Sequence, residues 1–234
     1  PMDEQVLFLP EGAVAVRVPP TIRGGRNHHR AIVRAPVLDV RYRGRVDGPL
    51  TYTAFVGKKK RGFSEPVSSG LQKRYLEVPA GYERVTALAE QVAASGPNPR
   101  AQAQLLERYL RAGGKFRYTL EQPDTRGKDP LHVFLFEAKA GHCEYFSTAM
   151  AMMARSLGLP ARNVTGFLGA DYNPYGDYYA VRNGHAHSWV EVYIDGRWLT
   201  FDPSPASGQV IAGPSRRAEK MRQVKHALRG RCSE

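Results

Sequence analysis

The 234-residue sequence predicts an α+β fold. Helical apolar spacing recurs between residues 82 and 157, and strand-like alternation dominates the first 78 residues and the stretch after residue 160. Glycine, proline and asparagine clusters separate these segments. We therefore expect a β-rich accessory region over residues 1–78, an α+β domain over residues 79–214 and a basic tail over residues 215–234.

The accessory region contains three strand candidates, over residues 13–18, 37–46 and 50–56. An Asp-Gly-Pro turn at residues 47–49 separates the last two. Paired glycines within residues 23–30 predict a mobile loop. No residue pattern in this region indicates chemistry, so we expect it to shape a substrate or to dock a neighbour.

The α+β domain opens with two predicted helices. The first covers residues 82–95, and the second is capped by Asn98 with a proline at its first helical position. A strand over residues 116–120 and a short helix over residues 129–136 follow. These elements lead the chain to a cysteine.

That cysteine, Cys143, begins a strongly predicted helix that extends to Leu157 and stops at Gly158. The helix carries one apolar stripe, formed by Phe146, Met150, Met153 and Leu157. The first turn of a helix has free N–H groups and a positive dipole end, which favour a thiolate. A buried, inert cysteine is the alternative, but Cys143 precedes the stripe instead of lying within it.

A hairpin is predicted near the end of the domain. Residues 161–168 and 187–194 have strand character, and Asp195-Gly196 is a two-residue turn signal that leads into a strand over residues 197–202.

The hairpin brings a histidine to an aspartate. If the turn places Ile194 opposite Arg197, Trp189 lies opposite Asp202 and His187 becomes its diagonal neighbour on the same face. Diagonal neighbours are roughly 7–8 Å apart, within reach of long side chains. A register slip of one residue would put His187 and Asp202 on opposite faces.

We therefore interpret Cys143, His187 and Asp202 as a nucleophile, its base and the group that orients the base. His185 shares a face with His187, which makes a metal site with Cys143 conceivable. The sequence has no Cys-x-x-Cys pair and no second cysteine nearby, so we expect no metal.

Four motifs in order resemble the transglutaminase-like superfamily, and especially its bacterial TgpA-type branch. They are Gly-His-Cys-Glu-Tyr-Phe-Ser-Thr-Ala, Gly-Leu-Pro-Ala-Arg-Asn-Val-Thr-Gly-Phe, Ala-His-Ser-Trp-Val-Glu-Val-Tyr and Phe-Asp-Pro-Ser-Pro. The resemblance covers residues 82–205 and makes residues 79–214 a transglutaminase-like catalytic domain. It implies a papain-like core, in which the nucleophile helix packs on an antiparallel sheet, with Cys143, His187 and Asp202 as the triad.

The resemblance also implies an activity. Members of the superfamily transfer an acyl group from glutamine to an amine, or hydrolyse amide bonds. We expect a cysteine-dependent acyl transferase that acts on glutamine carboxamides of proteins or peptides through a thioester, with an amine as acceptor and no cofactor. A cysteine peptidase or amidase with the same triad is the alternative. An idle envelope-binding module is a third, which the intact triad argues against.

Aromatic residues extend the candidate site. Animal transglutaminases use an upstream tryptophan in transition-state stabilisation, whereas both tryptophans here lie downstream of the cysteine. Tyr118 could supply an oxyanion donor instead, or it could simply pack on the core. Trp189 lies beside His187, and a predicted loop at residues 169–176 carries Tyr172 and Asn173. That loop could form part of the acyl-donor groove, or its tyrosines could serve packing alone.

The formal charge of +12 is uneven. Residues 17–61 contain twelve Lys/Arg and two Asp/Glu, and residues 215–234 contain seven Lys/Arg and two Asp/Glu. The remainder of the sequence has fifteen Lys/Arg and eighteen Asp/Glu. The basic segments could contact an anionic envelope surface, or they could be solvated faces. No recognition motif accompanies them, so we expect no nucleic-acid partner.

No apolar run approaches the roughly 18 residues of a membrane span. In the family that the motifs resemble, this domain lies outside the cytoplasmic membrane between transmembrane segments. We therefore expect an extracytoplasmic location, as the soluble part of a membrane-anchored protein.

Overall fold

A computed structural model describes residues 4–10, 13–18, 21–23, 26–28, 32–34, 40–43, 50–57, 69–112 and 114–206. The chain folds into two compact units, Pro1–Arg61 and Gly62–Glu234. This boundary lies earlier than the predicted one after residue 78. Among the helices that the structure describes, none combines the length and the hydropathy of a membrane span.

The first unit is built from short antiparallel strands, as predicted. They are β1 Glu4–Val6, β2 Ala13–Arg17, β3 Thr21–Arg23, β4 Arg26–His28, β5 Ile32–Arg34, β6 Val40–Arg43 and β7 Thr53–Val56. The strands form a three-stranded sheet in the order β1-β6-β5 and two pairs, β2-β7 and β3-β4. Leu7 and Tyr42 are buried in a small core.

One prediction in this unit was wrong. Residues 21–23 pair with residues 26–28, so a hairpin occupies part of the predicted mobile loop. The two intervening residues in the sequence are both glycine, a pair that favours two-residue hairpin turns. The predicted turn at residues 47–49 lies outside the described residues.

The second unit begins with helices. α1 covers Ser69–Arg74, α2 covers Glu83–Ala93 and α3 covers Pro99–Arg111. The predicted cap of α3 is confirmed, because the Asn98 side chain accepts a hydrogen bond from the Ala101 N–H at 2.9 Å.

The approach to the cysteine differs from the prediction. The predicted strand at residues 116–120 is reduced to β8, Arg117–Tyr118, which pairs in parallel with β9, Ala140–Gly141. The predicted short helix has one α-turn, α4 Pro130–His132, and continues as a π-helix over Val133–Ala138. The Lys139 N–H donates to the Phe134 carbonyl five residues earlier, which closes the wide turn.

The central elements match the prediction closely. α5 covers Cys143–Ser156, and the antiparallel sheet consists of β10 Ala161–Phe167, β13 Ala186–Ile194 and β14 Arg197–Phe201, in the order β10-β13-β14. Ile194 lies opposite Arg197, which confirms the predicted register. Asp195 and Gly196 both have positive φ, at 51° and 76°, as a tight type I′ turn requires.

The predicted loop at residues 169–176 was wrong in part, because it contains one strand of a hairpin. β11, Asp171–Asn173, pairs with β12, Tyr178–Ala180. The Asn173 side-chain oxygen accepts hydrogen bonds from the N–H groups of Tyr175 and Gly176. Such side-chain bonds to nearby backbone groups stabilise a turn that strand alternation alone does not reveal.

One hydrophobic core joins helices and sheet. α5 packs on β13 on one side and against α2 and α3 on the other. α2, α3, α5 and β13 each contribute fully buried side chains to this core, which include Val85, Leu106, Leu110, Phe146, Met150, Met153, Val190 and Val192. The α+β prediction is confirmed, and the core fixes where the first turn of α5 lies relative to the sheet.

Candidate active site

Cys143 is the first residue of α5 and carries a half-buried free thiol. The preceding Gly141 is buried, and a Cβ there would lie 2.8 Å from the Tyr145 ring. The chain can therefore turn into the helix only because this position has no side chain. The sequence prediction of a helix-start cysteine is confirmed.

His187 and Asp202 meet at one end of the sheet. His187 is the second residue of β13, and Asp202 follows the last residue of β14. His187 Nε2 lies 3.0 Å from Asp202 Oδ2. The His187 side chain is only 6% exposed. The diagonal pairing predicted from the hairpin register is confirmed.

The Cys143 thiol completes the constellation. It hydrogen-bonds to His187, accepts a hydrogen bond from the Ser188 backbone N–H and contacts the Tyr118 hydroxyl. Because Nε2 of His187 faces Asp202, Nδ1 is the ring nitrogen that remains for the thiol. The three side chains thus form one chain of hydrogen bonds.

Electrostatics favour a charged sulfur. Burial raises the pKa of Cys143, but the hydrogen bond and charge of His187, together with the donors from Ser188 and Tyr118, lower that pKa below its usual value. The hydrogen bond to Asp202, followed by that to Cys143, raises the pKa of His187 to about 9 despite burial. Both shifts favour a thiolate–imidazolium pair over a neutral thiol and imidazole.

Asp202 remains a carboxylate. Burial raises its pKa, but the hydrogen bonds from His187 and from the Ser204 backbone N–H outweigh burial and lower the pKa. The Ser204 N–H donates to Oδ1 at 3.0 Å, which leaves Oδ2 for His187. The two carboxylate oxygens therefore have separate partners.

Tyr118 packs on the core, as one of its two predicted roles requires, and its hydroxyl also lies at Cys143, whereas its role as an oxyanion donor stays a prediction. The parallel pairing of β8 and β9 puts Tyr118 opposite Gly141, just before Cys143. Its ring stacks on Phe146 with a centroid distance of 6.3 Å. Its hydroxyl donates to the Cys143 sulfur and accepts from the Cys143 backbone N–H. Burial, then the nearby thiolate, raises the pKa of Tyr118, so the hydroxyl keeps its proton.

Trp189 lies beside the histidine. The rings of His187 and Trp189 are nearly parallel, at 26°, with centroids 6.4 Å apart. Gly166 pairs with His187 across the sheet, and a Cβ on it would lie 2.7 Å from the Trp189 ring. The missing side chain at Gly166 therefore lets the indole extend over β10.

Tyr172 and Asn173 lie in the β11–β12 hairpin. The Tyr172 hydroxyl donates to Asp177 Oδ1 at 2.6 Å, and Asn173 Nδ2 donates to the Tyr178 hydroxyl at 3.0 Å. These bonds stabilise the hairpin itself. A substrate role for the two residues stays a prediction.

His185 has a structural role. Its Nδ1 accepts a hydrogen bond from the Arg182 N–H at 2.9 Å, which closes the short 3₁₀ turn before β13. Among the described residues, no cluster of three or more His, Cys, Asp or Glu side chains is arranged to hold a metal ion.

Several contributors were missed by the sequence reasoning. Glu107 and Arg111 of α3 contact the backbone of Asp202, and the Ser188 N–H reaches Cys143. The hydroxyls of Ser147 in α5 and Ser188 in β13 lie 2.5 Å apart, which links the helix to the strand beside the thiol. No local pattern in the sequence connects these positions, because they belong to separate elements.

Two curated relatives match the chain. An uncharacterized protein, YebA of Bacillus subtilis, is 39% identical in an alignment of 139 residues that covers 56% of this chain and 19% of YebA. A protein-glutamine gamma-glutamyltransferase of Pseudomonas aeruginosa is 39% identical in an alignment of 134 residues that covers 56% of this chain and 20% of that protein. The match thus spans about a fifth of each relative's length.

Solved structures share the fold. The periplasmic domain of TgpA from P. aeruginosa, bound to ethylmercury, superimposes with a TM-score of 0.63 at 24% identity, covering 86% of this chain and 70% of that one. The model of the transglutaminase-like superfamily matches residues 86–203, which contain Tyr118, Cys143, His187 and Asp202. The papain-like arrangement of α5 on an antiparallel sheet, the match over half of the sequence and the shared fold lead to one conclusion: this chain belongs to the transglutaminase-like superfamily.

Proposed function

We propose that this chain is a cysteine-dependent acyl transferase that takes the acyl group of a glutamine carboxamide in a protein or peptide and passes it to an amine through a thioester. The hydrogen-bonded series Cys143–His187–Asp202, with its lowered thiol pKa and raised imidazole pKa, carries this proposal. The superfamily consists of cysteine-dependent enzymes, and a curated relative is named as a glutamyltransferase.

In the first half-reaction, the Cys143 thiolate attacks the carboxamide carbon and forms a C–S bond. The carbonyl electrons move to oxygen, and we assign the Tyr118 hydroxyl, which hydrogen-bonds the Cys143 sulfur in the free protein, as the donor to that oxygen. When the C–N bond breaks, the His187 imidazolium gives its proton to the leaving ammonia. Asp202 holds the imidazole in the tautomer and orientation that this transfer needs.

In the second half-reaction, an amine attacks the thioester carbon. His187, now neutral, takes the proton of the amine, and the C–S bond breaks to return the thiolate. Water in place of the amine would yield glutamate. The indole of Trp189 beside His187 supports transfer over hydrolysis, since an apolar wall on this side admits an alkyl amine while displacing water.

We further propose that the chain acts outside the cytoplasm, as the soluble part of a membrane-anchored protein next to an anionic envelope surface. The matching domain of TgpA is periplasmic, which supports the location. The excess of Lys and Arg in residues 17–61 and 215–234 supports contact with an anionic surface. This positive charge lies in segments of the sequence other than the near-neutral stretch that holds the site.

A partition experiment tests the activity. The protein is incubated with a glutamine peptide and a lysine-like amine, and ammonia, γ-amide product and glutamate are followed together. Casein is incubated in parallel to detect cleavage of peptide bonds. We expect the amide to exceed glutamate at millimolar amine, with all products lost in Cys143→Ala. If glutamate is the main product, the amidase reaction replaces acyl transfer as the proposed activity, and if casein is cleaved, the peptidase reaction does. Undiminished turnover by Cys143→Ala would exclude the cysteine mechanism.

A further inference from the structure

Asp202 lies just beyond the last residue of β14, where the pairing between β13 and β14 ends at Phe201. Buried backbone N–H and C=O groups need hydrogen bonds from elsewhere. For Asp202, helix α3 supplies both. The Asp202 N–H donates to Glu107 Oε1 at 2.8 Å, and the Asp202 carbonyl accepts from Arg111 Nη1 at 3.0 Å.

Glu107 and Arg111 are four residues apart, so both side chains project from the same face of α3. The adjacent row of that helix, Leu106 and Leu110, is buried in the core and sets the rotation of the helix. The two polar side chains are thereby aimed at the backbone groups on either side of the Asp202 Cα, from which the carboxylate projects.

The Asp202 carboxylate is held by hydrogen bonds of its own. The Ser204 N–H holds Oδ1, and Oδ2 faces His187. Burial raises the pKa of Glu107, while the Asp202 N–H and the nearby Arg111 guanidinium stabilise its charged form. The two side chains hold the N–H and the carbonyl of Asp202 from one face of α3.

We propose that Glu107, supported by Arg111, is a positioning residue of this site: α3 holds the backbone of Asp202 so that its carboxylate keeps the His187 ring aligned with Cys143. The inference rests on the proposed role of the triad. It extends the functional site to a helix that contributes none of the three triad side chains, and it gives α3 a function besides packing.

Three variants test the role. Glu107→Ala removes the acceptor, Glu107→Gln keeps an acceptor oxygen without the charge, and Arg111→Ala removes the donor. Glu90→Ala is the matched control for the lost acid, since Glu90 is exposed on the neighbouring α2. Arg108→Ala is the control for the lost base, since Arg108 is exposed on the same helix as Arg111.

Two readouts separate positioning from folding. The first is the rate of Cys143 alkylation by iodoacetamide as a function of pH, which reports the thiolate without any amide substrate. The second is kcat and KM for amine incorporation. Misalignment of a catalytic group by about 1 Å can cost about 100-fold in rate. We expect Glu107→Ala to lower kcat by about ten-fold with little change in KM, and to shift the acid limb of alkylation to higher pH. Glu107→Gln should retain most activity, and Arg111→Ala should fall between them.

Glu107→Ala behaving like Glu90→Ala in both readouts would overturn the inference, as would a Glu107→Gln variant as impaired as Glu107→Ala. If Glu107→Ala does not fold, Arg111→Ala is compared with Arg108→Ala, since both arginine side chains are exposed and neither substitution opens the core. Equal rates for these two variants would refute the proposed restraint of the Asp202 backbone by α3. The proposed reaction fails separately: if the wild-type protein transfers no acyl group while its alkylation profile still depends on Glu107, the positioning role stands and the acyl-transfer proposal falls.

Discussion

At the scale of single residues, the site is defined by two opposite pKa shifts. His187, the Ser188 backbone N–H and the Tyr118 hydroxyl stabilise the Cys143 thiolate, and Asp202 stabilises the His187 imidazolium. Each charge supports the other, so loss of one member changes the ionisation of its neighbour. This coupling can be tested at the thiol and at the imidazole separately.

The first test concerns the reactivity of Cys143. Because the pKa of Cys143 is lowered, iodoacetamide should label this thiol well below pH 8 and abolish activity. Mass spectrometry of labelled peptides measures the site and the rate. Cys232→Ser, a substitution outside the described residues, is the control and should leave both unchanged. Full activity in Cys143→Ala would contradict the prediction.

The second concerns the alkaline limb of the pH profile. In the proposed reaction the imidazolium protonates the leaving ammonia, and the pKa of His187 is raised to about 9. Activity should therefore persist from neutral pH to about pH 9 and fall above it, as the proton is lost. In Asp202→Ala the hydrogen bond that is the largest cause of this increase is absent, so the limb should move toward the ordinary histidine pKa of about 6.5. Steady-state rates across the pH range check this, and an unmoved limb would refute the assigned cause.

At the scale of elements, the pairing of β10 with β13 leaves room for the Trp189 indole beside His187. Gly166 lies opposite His187, and its lack of a side chain admits the Trp189 indole. This packing depends on two adjacent strands and therefore responds to a change on either.

Gly166→Ala should push the indole away from its position, since the added Cβ would lie 2.7 Å from the ring. Overpacking of this kind costs about 1–3 kcal/mol. We expect a lower urea midpoint and a larger share of hydrolysis over transfer, because the apolar wall beside His187 is displaced. Gly184→Ala is the matched control, since a Cβ at Gly184 meets no atom within 4 Å. Equal effects of the two substitutions would show that the close approach to Trp189 is unimportant.

At the scale of the whole molecule, positive charge is concentrated in segments of the sequence other than those that form the site. Lys and Arg side chains near an anionic bilayer each contribute about 1 kcal/mol of attraction. The seven basic residues at 215–234 lie outside the described residues, so their role is inferred from sequence alone.

Deletion of residues 215–234 should weaken binding to vesicles that contain phosphatidylglycerol, while turnover of a small glutamine peptide is unchanged. Co-sedimentation at increasing salt measures the binding. A tail of the same length with its Lys and Arg residues replaced by Gln separates charge from chain length. Undiminished salt-sensitive binding of the truncated protein would transfer the role to residues 17–61 or remove it.

Local sequence signals determined the central part of the site. The apolar stripe and its stop at Gly158 placed Cys143 at a helix start, and Asp195-Gly196 set the register that joins His187 to Asp202. Both signals act over short stretches of chain, where helix periodicity and turn geometry leave few alternatives. The same reasoning failed for residues 171–173, because side-chain bonds in the turn outweighed the loop-like composition.

Only the tertiary structure decided which distant groups surround that centre. Tyr118 reaches Cys143 through a short parallel strand pairing, and Glu107 reaches Asp202 from a helix 95 residues away along the chain. Neither arrangement has a periodic or turn-based signature, since each depends on how the helices pack on the sheet around the shared core. The sequence by itself determined a thiol, an imidazole and a carboxylate that can form one series of hydrogen bonds. The packing of α3, α5 and the sheet decided how those three groups are held.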